Sequence, residues 1–500
     1  MTDRTDPSSR YLVVSDLHLC DFEEHADGWK VHKSARFSID EDFEALVDEF
    51  VQRAEPDAPL VLVLNGDIFD FDLVTAIPEP APWPVSSSER KRGLLPTADK
   101  SVWKLRRMLS DHSRFLRTLA GLLVRGHKVV YVMGNHDREF HFTQVQDALV
   151  EELRNNVAAL GGQLADGLVQ FEPWFYYVPG VIYAEHGQQY DFYSSFRYVL
   201  SPVVEADGQR VLALAMGNLS NRYLVGRMGY FNPHASDYIL NVFHYVAHWL
   251  RFYAFSRHGI LINWFWGSIL VIARLAALKK ATHRRPDDYD VLLDEAGRRA
   301  GLMPATIQAL GELQRPPITT RFFRILREFW IDRLTIAVLM TIGTVALAVT
   351  PVPLWVKLMV PLSSFPLLYF VYESLARGET IFTAEHEVPK YAAKICGLLS
   401  AKVITFGHTH RPRVVPLARN RSFVDTGTWA PITQGDRTPS LVPGYRNYLV
   451  IVAKGDDVRF TLGSWMPARS LERPAVTLPE RVPATLRRGV REIGASPSRA

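Results

Sequence analysis

Cysteine is nearly missing. The 500-residue chain has 2, Cys20 and Cys396. That excludes a disulfide framework and a thiolate zinc site, and it fits a reducing compartment. Charge of one sign is missing too: 57 basic residues face 53 acidic ones, for a net charge of +4. No basic stripe with interleaved aromatics appears outside a short Arg-rich tail, so no specific nucleic-acid partner is expected. The first residues, "MTDRTDPSSR", contain no apolar run. They do not read as a secretory signal, so the domain that follows is expected in the cytoplasm. No Ser or Cys motif suggests a covalent enzyme intermediate.

Short apolar runs ending in polar clusters recur instead. They are "YLVVSDLH" from Tyr11, "LVLVLNGD" from Leu60, "KVVYVMGNHD" from Lys128, "GVIYAEHG" from Gly180, "KVITFGHTH" from Lys402 and "RSFVDTG" from Arg421. Rich in Val, Ile and Tyr, they fit strands buried on both faces. Helical patterns lie between the first ones. In "SIDEDFEALVDEFVQRA", Phe43, Leu46, Val47 and Phe50 share one face, and Ser38 or Asp40 is placed to cap. Alternating strand and helix predicts a layered α/β domain. "YRNYLVIVAKG" from Tyr445 and "DVRFTLGSW" from Asp457 read as a final hairpin. The divisions predicted are a first core part at 10–190, a helical insert at 191–395, a second core part at 396–463 and a disordered tail at 464–500.

The insert carries the long apolar segments. "GILINWFWGSILVIARLAAL" starts at Gly259, and Leu334 to Thr350 contains no charge. After a "PVP" turn, Leu354 to Tyr372 contains only Lys357. About 17–20 apolar residues suffice to cross a bilayer. The pair reads as a transmembrane hairpin, a re-entrant hairpin, or two helices buried in the insert. Membrane contact is the favoured expectation, because "RFFRILREFWIDR" places Arg and Trp at the flank. Arg321, Arg324, Arg327, Lys279, Lys280, Arg284 and Arg285 fit an anionic leaflet surface. His244 and His248, one turn apart in another aromatic stretch, read as packing residues.

The polar residues after each strand form a set. Asp16 and His18 follow the first strand and Asp67 the second. Asn135, His136 and Asp137 follow the third, His186 the fourth, and His408 and His410 the fifth. In a mostly parallel sheet these ends share an edge, where α/β proteins place ligands. Carboxylates, an amide and imidazoles without thiolates suit two divalent ions of the Mn, Fe or Zn kind. Asp67 is the natural bridge between them. The adjoining glycines suit close approach of backbone to the ions.

With "DLH", "GDIFD", "GNHD", "EHG" and "GHTH" in order, the chain resembles the calcineurin-like metallophosphoesterases, over roughly 10–190 and 396–462. The resemblance implies a four-layer α/β sandwich, two mixed sheets flanked by helices, here with a large, mostly helical insert. It implies that Asp16, His18 and His410 hold one ion, that Asn135, His186 and His408 hold the other, and that Asp67 bridges. His136 would act on the leaving group or the phosphate, with Asp137 orienting it. "GDIFD" is closest to the branch that hydrolyses UDP-2,3-diacylglucosamine, which commonly carries Arg where His136 stands. The expected reaction is hydrolysis of a phosphate ester or pyrophosphate by a hydroxide between the two ions. With membrane contact, the expected substrate is a phosphorylated or lipid-linked molecule at the cytoplasmic face of the membrane. If the insert is a buried lid, the protein is cytoplasmic and a soluble diester or nucleotide is expected. A non-catalytic metal-binding scaffold is the least favoured reading. Tyr190 and Asp191 are expected to line the pocket, Asp425 to orient a ligand histidine, and Asp70 and Asp72 to shape the turn after Asp67. His25 and His32 are placed to approach the site from the loop after "DLH".

Overall fold

Alternation of buried side chains decides the architecture. In β1 (Arg10–Val14), Tyr11 and Val13 face one way and Leu12 and Val14 the other, and all four are buried. A strand buried on both faces must lie between two other layers. The computed structural model describes residues 10–24, 30–53, 59–206, 208–227, 250, 260–375, 381–434 and 440–465. His25, His244, His248 and the tail beyond 465 lie outside the described residues.

The remaining strands are β2 (Leu60–Asn65), β3 (Lys128–Val132), β4 (Val169–Glu172), β5 (Phe175–Val178), β6 (Ile182–Glu185), β7 (Val203–Ala206) and β8 (Gln209–Leu212). After the insert come β9 (Val403–Phe406), β10 (Arg413–Ala418), β11 (Arg421–Asp425), β12 (Ile432–Gln434), β13 (Ser440–Val442), β14 (Asn447–Lys454) and β15 (Asp457–Ser464). One sheet has 6 strands in the order β15-β14-β1-β2-β3-β4, parallel from β1 to β4 and antiparallel at β14 and β15. The other has 5, in the order β10-β11-β9-β6-β5, with β6, β9 and β11 parallel.

The sheets pack face to face. Val13, Val63, Val130 and Val132 meet Val178, Ile182, Ala184, Val403 and Val424 between them. On the outer side of the first sheet, Leu12, Leu62 and Leu64 pack against helices Asp40–Gln52, Ser113–Val124 and Thr143–Ala159. On the outer side of the second, Tyr183, Ile404 and Phe406 pack against helices Tyr289–Ala300, Pro304–Glu312 and Ile381–Leu398. The result is the expected four-layer sandwich. At the start of the first helix Ile39 holds the N-cap position, Ser38 Oγ accepts from Asp40 N at 3.3 Å, and the Asp40 carboxylate lies 2.7 Å from His112 Nδ1.

Between β6 and β9 the chain leaves both sheets. Apart from the small β7-β8 pair, its described elements are helical. Helix Ile260–His283 packs inward through Val271 and Leu275 against Leu219 and Tyr223. Helices Ile331–Ala348 and Leu354–Leu375 pack on each other but project from the rest. These two are long and apolar enough to cross a membrane, and 0% of either apolar window is buried in the protein. The alternative reading, two helices buried in the insert, is therefore not met.

Candidate metal centre

Parallel strands of both sheets end on one edge, and the chain turns sharply there. Asp16, His18, Asp67, His408 and His410 all have positive φ, between 49° and 64°. Left-handed backbone at a residue other than glycine costs about 1–3 kcal/mol and persists where surrounding contacts enforce it. The enforcing contacts are present. Asp16 N donates to Gly66 O at 3.1 Å and His18 N to Asp67 O at 3.0 Å. His408 N lies 3.2 Å from both carboxylate oxygens of Asp16. Thr409, between the two late histidines, is held by its hydroxyl on Asp425 Oδ2. His408 and His410 thus take matched left-handed turns about a tethered threonine. Two glycines are required by crowding. A Cβ at Gly134 would overlap the Asp67 carboxylate, and one at Gly407 the Asp16 carboxylate.

The side chains converge. His410 Nε2 is 3.1 Å from Asp16 Oδ1 and 3.3 Å from His18 Nε2. Asp67 Oδ2 is 3.0 Å from His186 Nε2, and Asp67 Oδ1 accepts from His136 N at 2.7 Å. Ligand atoms of Asp16, His18 and His410 lie within 4.8 Å of one another, and so do those of Asp67, His186 and His408. Asp67 also groups with His18 and His136. It therefore stands between the two sets.

The donor set fits divalent ions. Atoms each about 2.0–2.2 Å from a shared ion come within 3–4 Å of one another, which matches these separations. Asn135 Oδ1 is buried without a hydrogen-bond partner, a costly state for an amide oxygen that is relieved by a cation. The charge balance agrees. Burial alone would raise the carboxyls of Asp16 and Asp67, yet the neighbouring imidazoles hold both below the usual carboxylate range. Burial likewise opposes charge on His186, but Asp67 and Asp16 push it up to about 9. The cluster of carboxylates calls for positive charge.

Neighbouring groups fix the rings. His186 Nδ1 sits 3.1 Å from Asn65 O, which turns Nε2 toward Asp67. His408 Nε2 lies 3.2 Å from Asp191 Oδ2. Asp70 does most. Its Oδ1 accepts from Asp72 N and Leu73 N, both at 3.0 Å. Its Oδ2 is 3.3 Å from His18 Nδ1 and 2.9 Å from His136 Nδ1. One carboxylate thereby faces two imidazoles and orients them. Burial works against charge on His136, but Asp70 and Asp67 push it up to about 10.

The sequence reading needs four corrections of contact. Asp137 does not orient His136. Its carboxylate accepts from Tyr131 Oη at 2.6 Å, Gly134 N at 2.6 Å and Ile68 N at 2.8 Å, tying the loops after β2 and β3 together. Asp70, assigned only to a turn, makes the contact expected of Asp137. Tyr190 is core: its hydroxyl donates to Glu185, beside Tyr183 and Trp174. Asp425 holds Thr409 rather than a histidine. Asn218, from the insert, was not singled out. It donates to Asp72 Oδ2 at 2.7 Å and to Asn135 O at 2.9 Å, while Arg138 pairs with Asp72 at 2.9 Å. His32 lines a crevice with His18 beside the cluster.

Asp70→Asn is expected to weaken divalent-ion affinity about 10–100-fold, the usual scale for a residue that orients ligand imidazoles. Titration of the metal-free protein with Mn²⁺ measures it. Unchanged affinity would reduce Asp70 to a turn former.

The chain was also compared with known proteins. No curated protein matches it. The calcineurin-like phosphoesterase family matches residues 9–250, which span Asp16, Asp67, Asn135 and His186. The fold adds His408 and His410 to that same cluster from far outside the matched stretch. Sequence match and converging ligands agree: residues 9–250 are similar to the calcineurin-like phosphoesterase family, and the chain is a metal-dependent phosphoesterase.

Proposed function

We propose that the enzyme hydrolyses a phosphate ester or pyrophosphate of a lipid at the cytoplasmic face of a membrane, using two divalent ions of the Mn, Fe or Zn kind. Asp16, His18 and His410 hold one ion, Asn135, His186 and His408 the other, and Asp67 serves both. Bound there, the ions neutralise phosphoryl oxygens and lower the pKa of water. With Nδ1 of His136 against Asp70, its Nε2 is the nitrogen left to give a proton to the leaving oxygen.

The exposed hairpin carries the lipid half of the reading. Leu339, Ile342, Val345, Leu354, Leu362 and Phe370 are each at least 60% exposed. Leaving such side chains in water forfeits about 1.5–3 kcal/mol each. Six of them already rival the whole net stability of a domain, about 5–15 kcal/mol. A bilayer relieves that exposure. The first helix has 18 residues, so it is about 27 Å long against a hydrocarbon core of about 30 Å. Its hydroxyls need no water: Thr335, Thr341 and Thr344 bond the carbonyls four residues back, at 2.7–2.8 Å. Lys357, at the tip, donates to Ala348 O at 2.6 Å. Charged pairs close the root, where Arg333 Nε meets Glu373 at 2.7 Å. Arginines cluster at that root, on the side of the catalytic sandwich, which supports a cytoplasmic orientation.

Full-length protein is expected in the membrane fraction, resistant to carbonate and released by detergent. It should free phosphate from a lipid phosphate in mixed micelles faster than from nucleotides. Recovery in the soluble fraction, with nucleotides preferred, would overturn the lipid reading.

A further inference from the structure

An open crevice of about 620 Å³ lies at the root of the hairpin. Arg321, Arg324, Arg327, Phe323, Asp332 and Tyr372 are among the residues that line it. The volume suits a small polar ligand. Its charge is unbalanced. Asp332 is already engaged, by the Tyr372 hydroxyl and by Arg333 N at 2.8 Å. Glu328, half-buried nearby, lies in the field of Arg324 and Arg327. Among the described residues, Arg321 and Arg327 have no carboxylate within ion-pair distance. Their neighbours Phe323 and Trp330 are 84% and 64% exposed, as suits the boundary between headgroups and acyl chains.

We infer that this crevice binds the phosphate of an anionic phospholipid, at a site separate from the metal centre. None of its lining residues belongs to the metal-ligand groups, so the lipid held here is not the one cleaved. The guanidinium groups of Arg321 and Arg327 provide the planar, multiple donors that a phosphodiester needs. The adjoining apolar hairpin provides a surface for the acyl chains. The crevice is also coupled to the catalytic edge. Arg324 lies 4.1 Å over the ring of Phe192, and Ile318 N donates to Phe192 O at 2.9 Å. The next residue back, Asp191, contacts His408. A resident lipid there fixes the metal centre at headgroup height. The inference relies on the membrane reading for the source of its ligand, and the test separates the two.

Isothermal titration of the detergent-solubilised full chain with dihexanoyl phosphatidylglycerol, dihexanoyl phosphatidylcholine and inorganic phosphate is the test, since short-chain lipids need no bilayer. Phosphatidylglycerol is expected to bind best. The double variant Arg321→Gln, Arg327→Gln should lose about thirtyfold in that affinity. It should hydrolyse a soluble aryl phosphate as the wild type does, which also reports that it folds. Equal affinity for the two lipids, or for wild type and variant, would overturn the site. Inorganic phosphate binding as tightly as the lipid would make free phosphate the ligand and overturn the lipid assignment. Carbonate extraction of the wild type reports on the membrane reading independently.

Discussion

Asp67→Asn removes bound metal and hydrolysis together. The physical reason is its position between two groups of ligands. Its Oδ2 faces His186 and its Oδ1 is fixed by His136 N, so neither oxygen can turn away. Asparagine keeps the shape but withdraws a negative charge and introduces an N–H donor toward one set of ligands. The ions contribute several kcal/mol of transition-state stabilisation, so the expected loss in kcat is on the order of a thousandfold or more. Elemental analysis and phosphate release on the same preparation measure both effects. Full metal content with activity within tenfold of wild type would show that Asp67 does not join the two groups.

His136→Ala separates chemistry from metal binding. The His136 ring lies 5.0 Å from that of His18, close enough to serve a substrate held at the same ions. Its Nδ1 lies 2.9 Å from Asp70 Oδ2. Loss of a positioned proton donor typically costs about 10²–10⁴-fold. That loss is expected in kcat, with metal content retained. It should shrink for an aryl phosphate, whose leaving group needs no proton, and be largest for an alkyl phosphate. His136 also groups with His18 and Asp67 as a potential ligand. Loss of metal in this variant, with equal damage to both substrates, would make it a ligand instead.

Strand ends made much of the site legible. Strands buried on both faces read as continuous apolar runs, and each polar cluster after such a run landed on the shared edge. What stayed hidden depends on where loops go in space. Asp70 is only three residues beyond Asp67, but nothing in "GDIFD" indicates that its side chain reaches two imidazoles from other strands. Asp137 adjoins His136 in sequence, but its carboxylate turns to Tyr131, Gly134 and Ile68, which adjacency cannot reveal. Asn218 was invisible because it reaches Asn135 only after the insert docks on the sandwich. β4 and β5 escaped notice for a local reason. "VQFE" is broken by Gln170, "FYYV" is only 4 residues long, and Pro173 stands between them. The hairpin's composition was plain, but only the fold distinguishes two exposed helices from two buried ones.

The most direct measurement is phosphate release by purified full-length protein after chelation and again after Mn²⁺ is restored, with metal counted at each stage. The account predicts two ions per chain before chelation, no hydrolysis without them, and recovery as both return. Hydrolysis that survives complete removal of metal would contradict it.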